Sequence, residues 1–170
     1  RALEAYPRPH HRHRIEHAML MADDLLAEMQ ALGVVVVPQP EFLWWLTSAY
    51  LKGLGERAVS LMPFRSWLQA GVAQGFSSDQ PVVPGEPILG WRAAVTRTSR
   101  DGTCLNPEEA LDPLTALQMF TVGAAYATCD DAIGSLAPGK QARFIVLSHS
   151  PEQIAEANLR VVATSWELLH

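Results

Sequence analysis

Two side chains in this sequence have the residue type and the position that metal-assisted hydrolysis requires. His17 follows the run 14–16, and Asp79 closes the run 72–79. A neutral imidazole can ligate Zn²⁺, and a carboxylate at a strand end can bind a metal and take a proton from water. In parallel α/β proteins, catalytic side chains gather at the carboxyl ends of strands. His17 and Asp79 are therefore candidate functional residues, although spacing alone leaves the function open.

Each of these residues also has a simpler interpretation. A histidine on a strand is often structural, and an aspartate followed by Gln80 and Pro81 often opens a turn or caps a helix. Residue type and spacing leave both interpretations open. Position at the ends of predicted strands is what favours a functional role.

Two further clusters carry polar groups. His10, His11 and His13 are close enough in sequence to share a metal ion, although an exposed loop before a strand is the favoured interpretation. The glycines and lysine of 134–140 lack the spacing of a phosphate-binding loop and predict a tight turn.

The tryptophans and cysteines are also candidates. Trp44, Trp45 and Trp67 could line an apolar substrate pocket, but packing in the core or at a subunit interface is the favoured interpretation. Cys104 and Cys129 lack metal-ligand spacing and a second cysteine pair, so we expect reduced thiols. The Gly-x-Ser-x-Gly motif of serine hydrolases is absent from the sequence.

Composition narrows the class of protein. With 170 residues, 48% of them hydrophobic, the chain can build the core of one ordinary domain. The net charge is −5 and the 13 Lys and Arg residues are scattered, so no nucleic-acid partner is expected. Apolar runs such as 33–38 are too short to cross a bilayer, and we expect a cytoplasmic protein without a membrane partner.

The hydrophobic pattern predicts strands alternating with helices, which is typical of a parallel α/β sheet. Four consecutive valines between a glycine and a proline indicate a strand buried on both faces. Gly33 is the expected end of the helix at 23–32, whose apolar face includes Leu25. Asp112 is the expected N-terminal cap of the last long helix. We expect strands at 12–19 (buried), 34–37, 72–79, 142–147 and 159–166, and helices at 23–32, 42–54, 63–70, 88–98 and 113–127.

The chain as a whole resembles the C-terminal part of the amidohydrolase superfamily, specifically amidohydrolase family 3, which includes N-substituted formamide deformylases. Four blocks in matching order carry the resemblance. They are Arg12-His13-Arg14-Ile15-Glu16-His17-Ala18, then 33–40 ending in Gln39-Pro40, then Phe76-Ser77-Ser78-Asp79-Gln80-Pro81-Val82 with the helix after it, and 116–140 with its Pro138-Gly139-Lys140 turn.

The resemblance implies a fold and a site. Residues 1–130 would form the last three βα units of a TIM-like (β/α)8 metal-dependent hydrolase barrel, and residues 131–170 would add strands of a small β-sandwich. His17 corresponds to the metal-ligand histidine of strand six. Asp79 corresponds to the strand-eight aspartate, which binds metal and handles the proton of the attacking water. Gln39 would face the substrate.

The implied activity is hydrolysis of a small-molecule amide, formamide or cyclic amide, with a divalent metal, zinc, as cofactor. The remaining ligands of the family would lie upstream of Arg1, and the chain does not begin with Met. We therefore expect a fragment that is inactive alone. The alternative is a non-catalytic fragment that acts as a binding or assembly module.

The sequence departs from the family pattern at two places. Ser77 replaces a usual glycine, and Ala142-Arg143 stands where Ala-Asp is common. In addition, three strands cannot close a barrel, and their open edges invite pairing with another chain. A homo-oligomer, with an intertwined dimer as one form, is therefore expected.

Overall fold

The computed structural model describes residues 1–169, which contain helices and four short strands, with mainly helices between residues 38 and 144. The predicted α/β character is thus confirmed. The elements are α1 (Ala2–Ala5), β1 (Arg14–Glu16), α2 (Asp23–Leu32), β2 (Val35–Val37), α3 (Glu41–Leu54), α4 (Phe64–Gln69), α5 (Pro87–Thr96), α6 (Pro113–Gln118), α7 (Ala124–Ala127), β3 (Ile145–Leu147), β4 (Val161–Thr164) and α8 (Ser165–Leu169). Turns of 3₁₀ helix lie at Gly55–Ser60, Pro107–Glu109 and Pro151–Gln153, and a π-helical turn, Met119–Gly123, joins α6 to α7.

Three chain segments run parallel at the centre of the molecule. β1 pairs with β2 so that Arg14 lies opposite Val35. On the other side of β2, the Val36 N–H donates to the Ala73 carbonyl at 2.9 Å, and the Gly75 N–H donates to the Val36 carbonyl at 3.0 Å. The carboxyl ends of all three segments therefore lie at the same edge of the sheet.

The third predicted strand, 72–79, is shorter than expected. Only one isolated bridge forms, between Val36 and Gln74. The Ser77 N–H still donates to the Pro38 carbonyl at 3.1 Å. Proline has no N–H to return a hydrogen bond to this segment, so the ladder is not extended beyond the first bridge.

The first strand also differs from its prediction. We expected a buried strand over 12–19, but β1 has three residues and all three are exposed. The reason is its position, because β1 has a strand neighbour on only one side among residues 1–169. β2 lies between two segments, and its three valines are buried as predicted.

Helix ends follow the predicted chemistry at two places. Gly33 ends α2 in a left-handed conformation with φ of 65°, which glycine adopts without steric cost. Asp112 caps α6, because its carboxylate accepts the Thr115 N–H at 3.0 Å. Hydrogen bonds from Thr115 lower the pKa of Asp112 below its ordinary value. Leu25 was expected on the apolar face of α2, but it is 49% exposed.

The hydrophobic core lies between β2 and the helices, with Leu43, Phe64 and Ala93 fully buried. Trp67 is also fully buried, whereas Trp44 and Trp45 pack partly buried against the same core. The tryptophans therefore serve in packing, which was the favoured interpretation.

One cation is buried inside this core. Arg97 has an exposed fraction of 0%. Its guanidinium donates to the carbonyls of Leu105, Met62 and Leu61 at 3.0, 3.0 and 2.8 Å. Burial lowers the pKa of Arg97 to about 10. The three carbonyls satisfy a charge that would otherwise be costly to remove from water.

The C-terminal strands form a separate antiparallel pair, with Ile145 opposite Thr164. The predicted strand 159–166 ends earlier than expected, at Thr164. The carboxylate of Glu167 accepts both the backbone N–H and the hydroxyl of Thr164, at 2.6 and 2.9 Å. This local bonding turns the chain into α8, which begins at Ser165.

Two arginines connect β1 and the residues before it to the end of α7 and the chain that follows it. Arg14 donates to the Ala127 carbonyl at 2.9 Å, and Arg12 pairs with Asp131 at 2.8 Å. The Arg12 guanidinium also lies over the ring of Tyr126, at 4.4 Å from its centroid. None of the helices within residues 1–169 has the length and apolar character that spanning a membrane requires.

Gly75 and Gly123 bring two backbones together where the third segment crosses the π-helical turn. A Cβ atom at Gly123 would lie 2.2 Å from the Gln74 carbonyl oxygen, and one at Gly75 would lie 2.6 Å from the Gly123 oxygen. The Phe76 N–H donates to the Met119 carbonyl at 2.9 Å beside this contact. The two glycines thus allow the helix to pack directly on the segment that leads to Asp79.

We expect Gly123→Ala to lower the free energy of unfolding by about 1–3 kcal/mol, because the added methyl group would overlap backbone atoms. Chemical denaturation monitored by circular dichroism measures the change. Gly53→Ala is the matched control, since no atom lies within 4 Å of its added Cβ in α3. The control should be neutral or stabilising, by up to about 1 kcal/mol. Equal effects of the two changes would contradict the close-approach explanation.

Candidate functional site

His17 lies directly beyond the end of β1. Its backbone N–H donates to the Val37 carbonyl at 3.0 Å, which continues the pairing with β2 by one residue. The backbone then turns, because His17 and Ala18 both have positive φ, of 67° and 47°. The imidazole is exposed at the sheet edge and stacks on Phe42, with ring centroids 6.2 Å apart.

Asp79 follows the third segment at the same edge of the sheet. Its side chain is exposed, and its backbone has φ of 57°. Left-handed backbone is uncommon outside glycine, and strained residues cluster at functional sites. Several other non-glycine residues, among them Ala18, Met62 and Asn106, also have positive φ. The conformation therefore does not by itself distinguish His17 and Asp79, and their roles stay a prediction.

Gln39 lies between these two residues, at the end of β2. Its side chain is only 1% exposed. The amide nitrogen donates to the Val37 carbonyl at 2.7 Å and to the Ser77 hydroxyl at 2.9 Å. The amide oxygen lies 2.8 Å from Nδ1 of His17. One buried amide therefore connects all three parallel segments.

Sequence reasoning missed the part that Ser77 plays here. It was noted only as a replacement for glycine, but its hydroxyl accepts the second hydrogen of the Gln39 amide. The available signal was its position two residues before Asp79, on a predicted strand next to that of Gln39. Substrate contact by Gln39 stays a prediction, and its burial favours contacts within the protein.

Comparison with known proteins identifies the family of this chain. A model of the amidohydrolase family matches residues 1–166. The chain belongs to the amidohydrolase family. It is 33% identical over 150 residues to N-substituted formamide deformylase of Arthrobacter pascens, an alignment that covers 86% of this chain and 28% of that protein.

Two solved structures have a similar fold. An uncharacterized metal-dependent hydrolase from Pyrococcus horikoshii OT3 is similar with a TM-score of 0.73 and 33% identity, over 88% of this chain and 31% of that chain. Atrazine chlorohydrolase TrzN from Arthrobacter aurescens TC1, complexed with zinc, is similar with a TM-score of 0.60. That likeness covers 84% of this chain and 32% of the other, and at 20% identity it shows the fold alone. The amidohydrolase chain thus spans about three tenths of the length of each relative.

The donor set of this amidohydrolase chain fits part of a metal site. Nδ1 of His17 is occupied by Gln39, so Nε2 is the nitrogen that would hold a divalent ion, with the Asp79 carboxylate as a second donor. Imidazole and carboxylate both suit zinc. Within residues 1–169, no three His, Cys, Asp or Glu side chains are grouped so that they could hold a metal ion.

The other sequence candidates have different surroundings. His11 uses both ring nitrogens, because Nε2 lies 2.8 Å from the Leu32 carbonyl and Nδ1 accepts the His13 N–H at 2.9 Å. Metal binding by His11 would require one of these bonds to break. Cys104 and Cys129 are exposed free thiols.

A cavity of about 430 Å³ lies beside Ser77 and Ser78. Most of its wall is apolar and includes Phe76, Trp91 and Phe120. None of the three tryptophans proposed from sequence for an apolar pocket lines this cavity.

Among the described residues that line this cavity, Glu41 is the one with a carboxylate. It is buried, and its oxygens accept the Trp45 indole N–H and the Glu86 backbone N–H, both at 3.0 Å. Burial raises the pKa of Glu41 above its ordinary value, and the two hydrogen bonds only partly oppose this effect. Glu41 thereby fixes the loop before α5 to the start of α3.

A raised folded-state pKa means that the contribution of Glu41 to stability is largest at low pH. It should decrease as pH rises from the ordinary pKa of glutamate through the folded-state value. We therefore expect the free energy of unfolding of the wild type, relative to Glu41→Gln, to fall over this interval. Denaturation at a series of pH values tests this. Glu108→Gln, at an exposed residue, is the control. Its free energy of unfolding should change with pH in parallel with that of the wild type. If the free energies of unfolding of Glu41→Gln and of the wild type changed in parallel with pH, the burial argument would be contradicted.

Proposed function

We propose that this chain is part of a metal-dependent hydrolase that cleaves non-peptide C–N bonds in small molecules. The observation that carries the proposal is the placement of His17 and Asp79 at one edge of the parallel segments. Family membership and the histidine–glutamine contact give independent support. Amides, formamides and cyclic amides are the proposed substrate class, and the name of the Arthrobacter pascens relative favours formamides.

We propose distinct roles for the two residues. His17 would hold a divalent ion through Nε2, with Asp79 as a further ligand. Zinc is proposed because the donors suit it. A bound ion would supply polarisation of the scissile carbonyl and acidify the attacking water.

Asp79 would do the proton transfer. Its carboxylate would accept the proton of the water as the oxygen bonds to the carbonyl carbon. The same proton would then pass to the amine nitrogen as the C–N bond breaks, which leaves a carboxylic acid and a free amine. The exposure of Asp79 at the sheet edge is compatible with access to both partners.

The proposal includes a domain arrangement. Residues 1–130 would form the last three βα units of a (β/α)8 barrel, and residues 131–170 would contribute strands to a β-sandwich. The parallel order of the three segments supports the first part. The antiparallel pairing of β3 and β4 supports the second.

The activity test centres on Asp79 in two proteins: the 170-residue chain, and the chain preceded by the rest of an amidohydrolase. We expect hydrolysis of simple formamides only in the longer protein. Asp79→Asn should reduce kcat by at least about 100-fold, because the proton acceptor is lost. Asp24→Asn changes an exposed carboxylate on α2 and should leave kcat unchanged. For each protein, the amine released from the formamide and the bound metal are measured.

Different results would overturn different parts of the proposal. Undiminished turnover in Asp79→Asn would refute the proton-transfer role. Turnover by the 170-residue chain alone would refute the expectation that further ligands are needed. A longer protein that binds no metal and hydrolyses no amide would favour a binding or assembly module instead.

We also propose that the 170-residue chain forms a homo-oligomer through the outer edge of β1. Val35 N–H donates to the His13 carbonyl and His17 N–H to the Val37 carbonyl, so these alternate residues face β2 and the Glu16 N–H points away. We expect light scattering to give a dimer or a larger assembly. Glu16→Pro removes the outward N–H and should shift the population towards monomer. A monomeric wild type would contradict the proposal.

A further inference from the structure

The orientation of the Gln39 amide is determined by an atom that can only accept hydrogen bonds. The Val37 carbonyl lies 2.7 Å from one terminal atom of the Gln39 side chain. A backbone carbonyl has no hydrogen to donate, so the atom facing it must be the amide nitrogen. The reverse orientation would place two oxygens against each other in a buried site. The oxygen of the amide therefore faces His17.

This orientation determines which nitrogen of His17 carries hydrogen. The amide oxygen lies 2.8 Å from Nδ1, and an amide oxygen can only accept. Nδ1 must then be the donor, so the neutral ring has hydrogen on Nδ1 and a free electron pair on Nε2. A free histidine side chain in water prefers the opposite tautomer. We infer that Gln39 is a positioning residue, which holds His17 in the tautomer whose Nε2 can bind a metal.

Burial makes this control strong. Gln39 is 1% exposed, so water does not compete for its oxygen or its nitrogen. Its second amide hydrogen is used by the Ser77 hydroxyl at 2.9 Å. All three polar hydrogen-bonding groups of the amide, two N–H and one oxygen, thus have partners inside the protein. Rotation of the amide would break each of these bonds.

The contributions of Val37 and Ser77 differ. A hydroxyl can donate or accept, so Ser77 is compatible with either orientation of the amide. The Val37 carbonyl can only accept, so it is compatible with a single orientation, in which the amide nitrogen faces it. Loss of the Ser77 hydroxyl should therefore leave the tautomer of His17 unchanged, whereas loss of the Gln39 oxygen should not.

The link between Gln39 and metal binding rests on the proposed function. The tautomer assigned to His17 rests only on the hydrogen bonds of Gln39. Histidines that bind metals commonly donate their other ring N–H to a fixed acceptor, and removal of that acceptor weakens metal binding by about 10–100-fold. Here the acceptor is an uncharged amide from the neighbouring strand. Gln39 would thus act through His17, without contact with the reacting atoms.

The tautomer is measured directly by long-range ¹H–¹⁵N correlation spectra of the ¹⁵N-histidine-labelled chain in alkaline solution, where imidazole is neutral. The His17 signals are assigned by their loss in His17→Gln. In the wild type we expect hydrogen on Nδ1. In Gln39→Leu the population should move towards Nε2–H, whereas Ser77→Ala should keep the wild-type pattern. A merely structural role for Gln39 would not change this spectrum selectively.

Gln39→Asn is a second variant, to be used if the Gln39→Leu protein does not fold. It keeps the amide but is one methylene shorter, so its oxygen no longer reaches Nδ1, and we expect the same loss of the Nδ1–H form. An Nε2–H tautomer in the wild type, or an unchanged His17 pattern in both Gln39 variants, would overturn the inference.

Zinc affinity, measured by competition with a chromophoric chelator on the longer protein, separates the inference from the proposed function. We expect Gln39→Leu to weaken zinc binding by about 10–100-fold, and Ser77→Ala to change it little. The expected tautomers together with no zinc binding in any protein would refute the metal site but support the role of Gln39. Zinc binding equal in the wild type and Gln39→Leu would overturn the part of the inference that concerns the metal.

Discussion

Backbone hydrogen bonds join β2 to a neighbour on each side, through Val35 and Val37 to β1 and its flanking residues and through Val36 to the segment 72–79. This pairing determines where His17, Gln39 and Asp79 lie. β1 and the segment 72–79 both run parallel to β2, so their carboxyl ends reach one edge together. Pro38 then stops the ladder on one side because it has no N–H. The next residue, Gln39, is therefore held at the edge itself, beneath an exposed histidine and beside a serine.

The backbone conformations at this edge belong to the same constraint. His17 and Asp79 both leave their segments with positive φ, a conformation that costs free energy in residues with a Cβ atom. Packing elsewhere must compensate for this cost. The buried valines of β2 and the close contact between Gly75 and Gly123 hold the segments firmly enough to keep the turns in place. Stability and the candidate site are thus supplied by different parts of the same sheet.

Much of this arrangement was predictable from local patterns. The four valines, the Gly33 end of α2 and the Asp112 cap depend on nearby residues, and each was found as expected. The burial of β1 and the extent of the third strand depend on neighbours that a hydrophobic pattern does not reveal. The contact of Gln39 with His17 joins residues 22 positions apart, and it requires knowledge of strand order. The pairing with Ser77, 38 positions away, requires register as well.

The buried guanidinium of Arg97 has a consequence for the order in which the chain folds. Its carbonyl partners come from Leu61, Met62 and Leu105, at separations of 36, 35 and 8 residues. The cation cannot lose its water until all three oxygens are close, because an ion buried without partners costs several kcal/mol. Dehydration of this one group must therefore coincide with the docking of a distant loop, at Leu61 and Met62, and of a nearby one, at Leu105. If only one loop had docked, the Arg97 guanidinium would stay hydrated inside the core. The two loops should therefore dock together, in a single cooperative step.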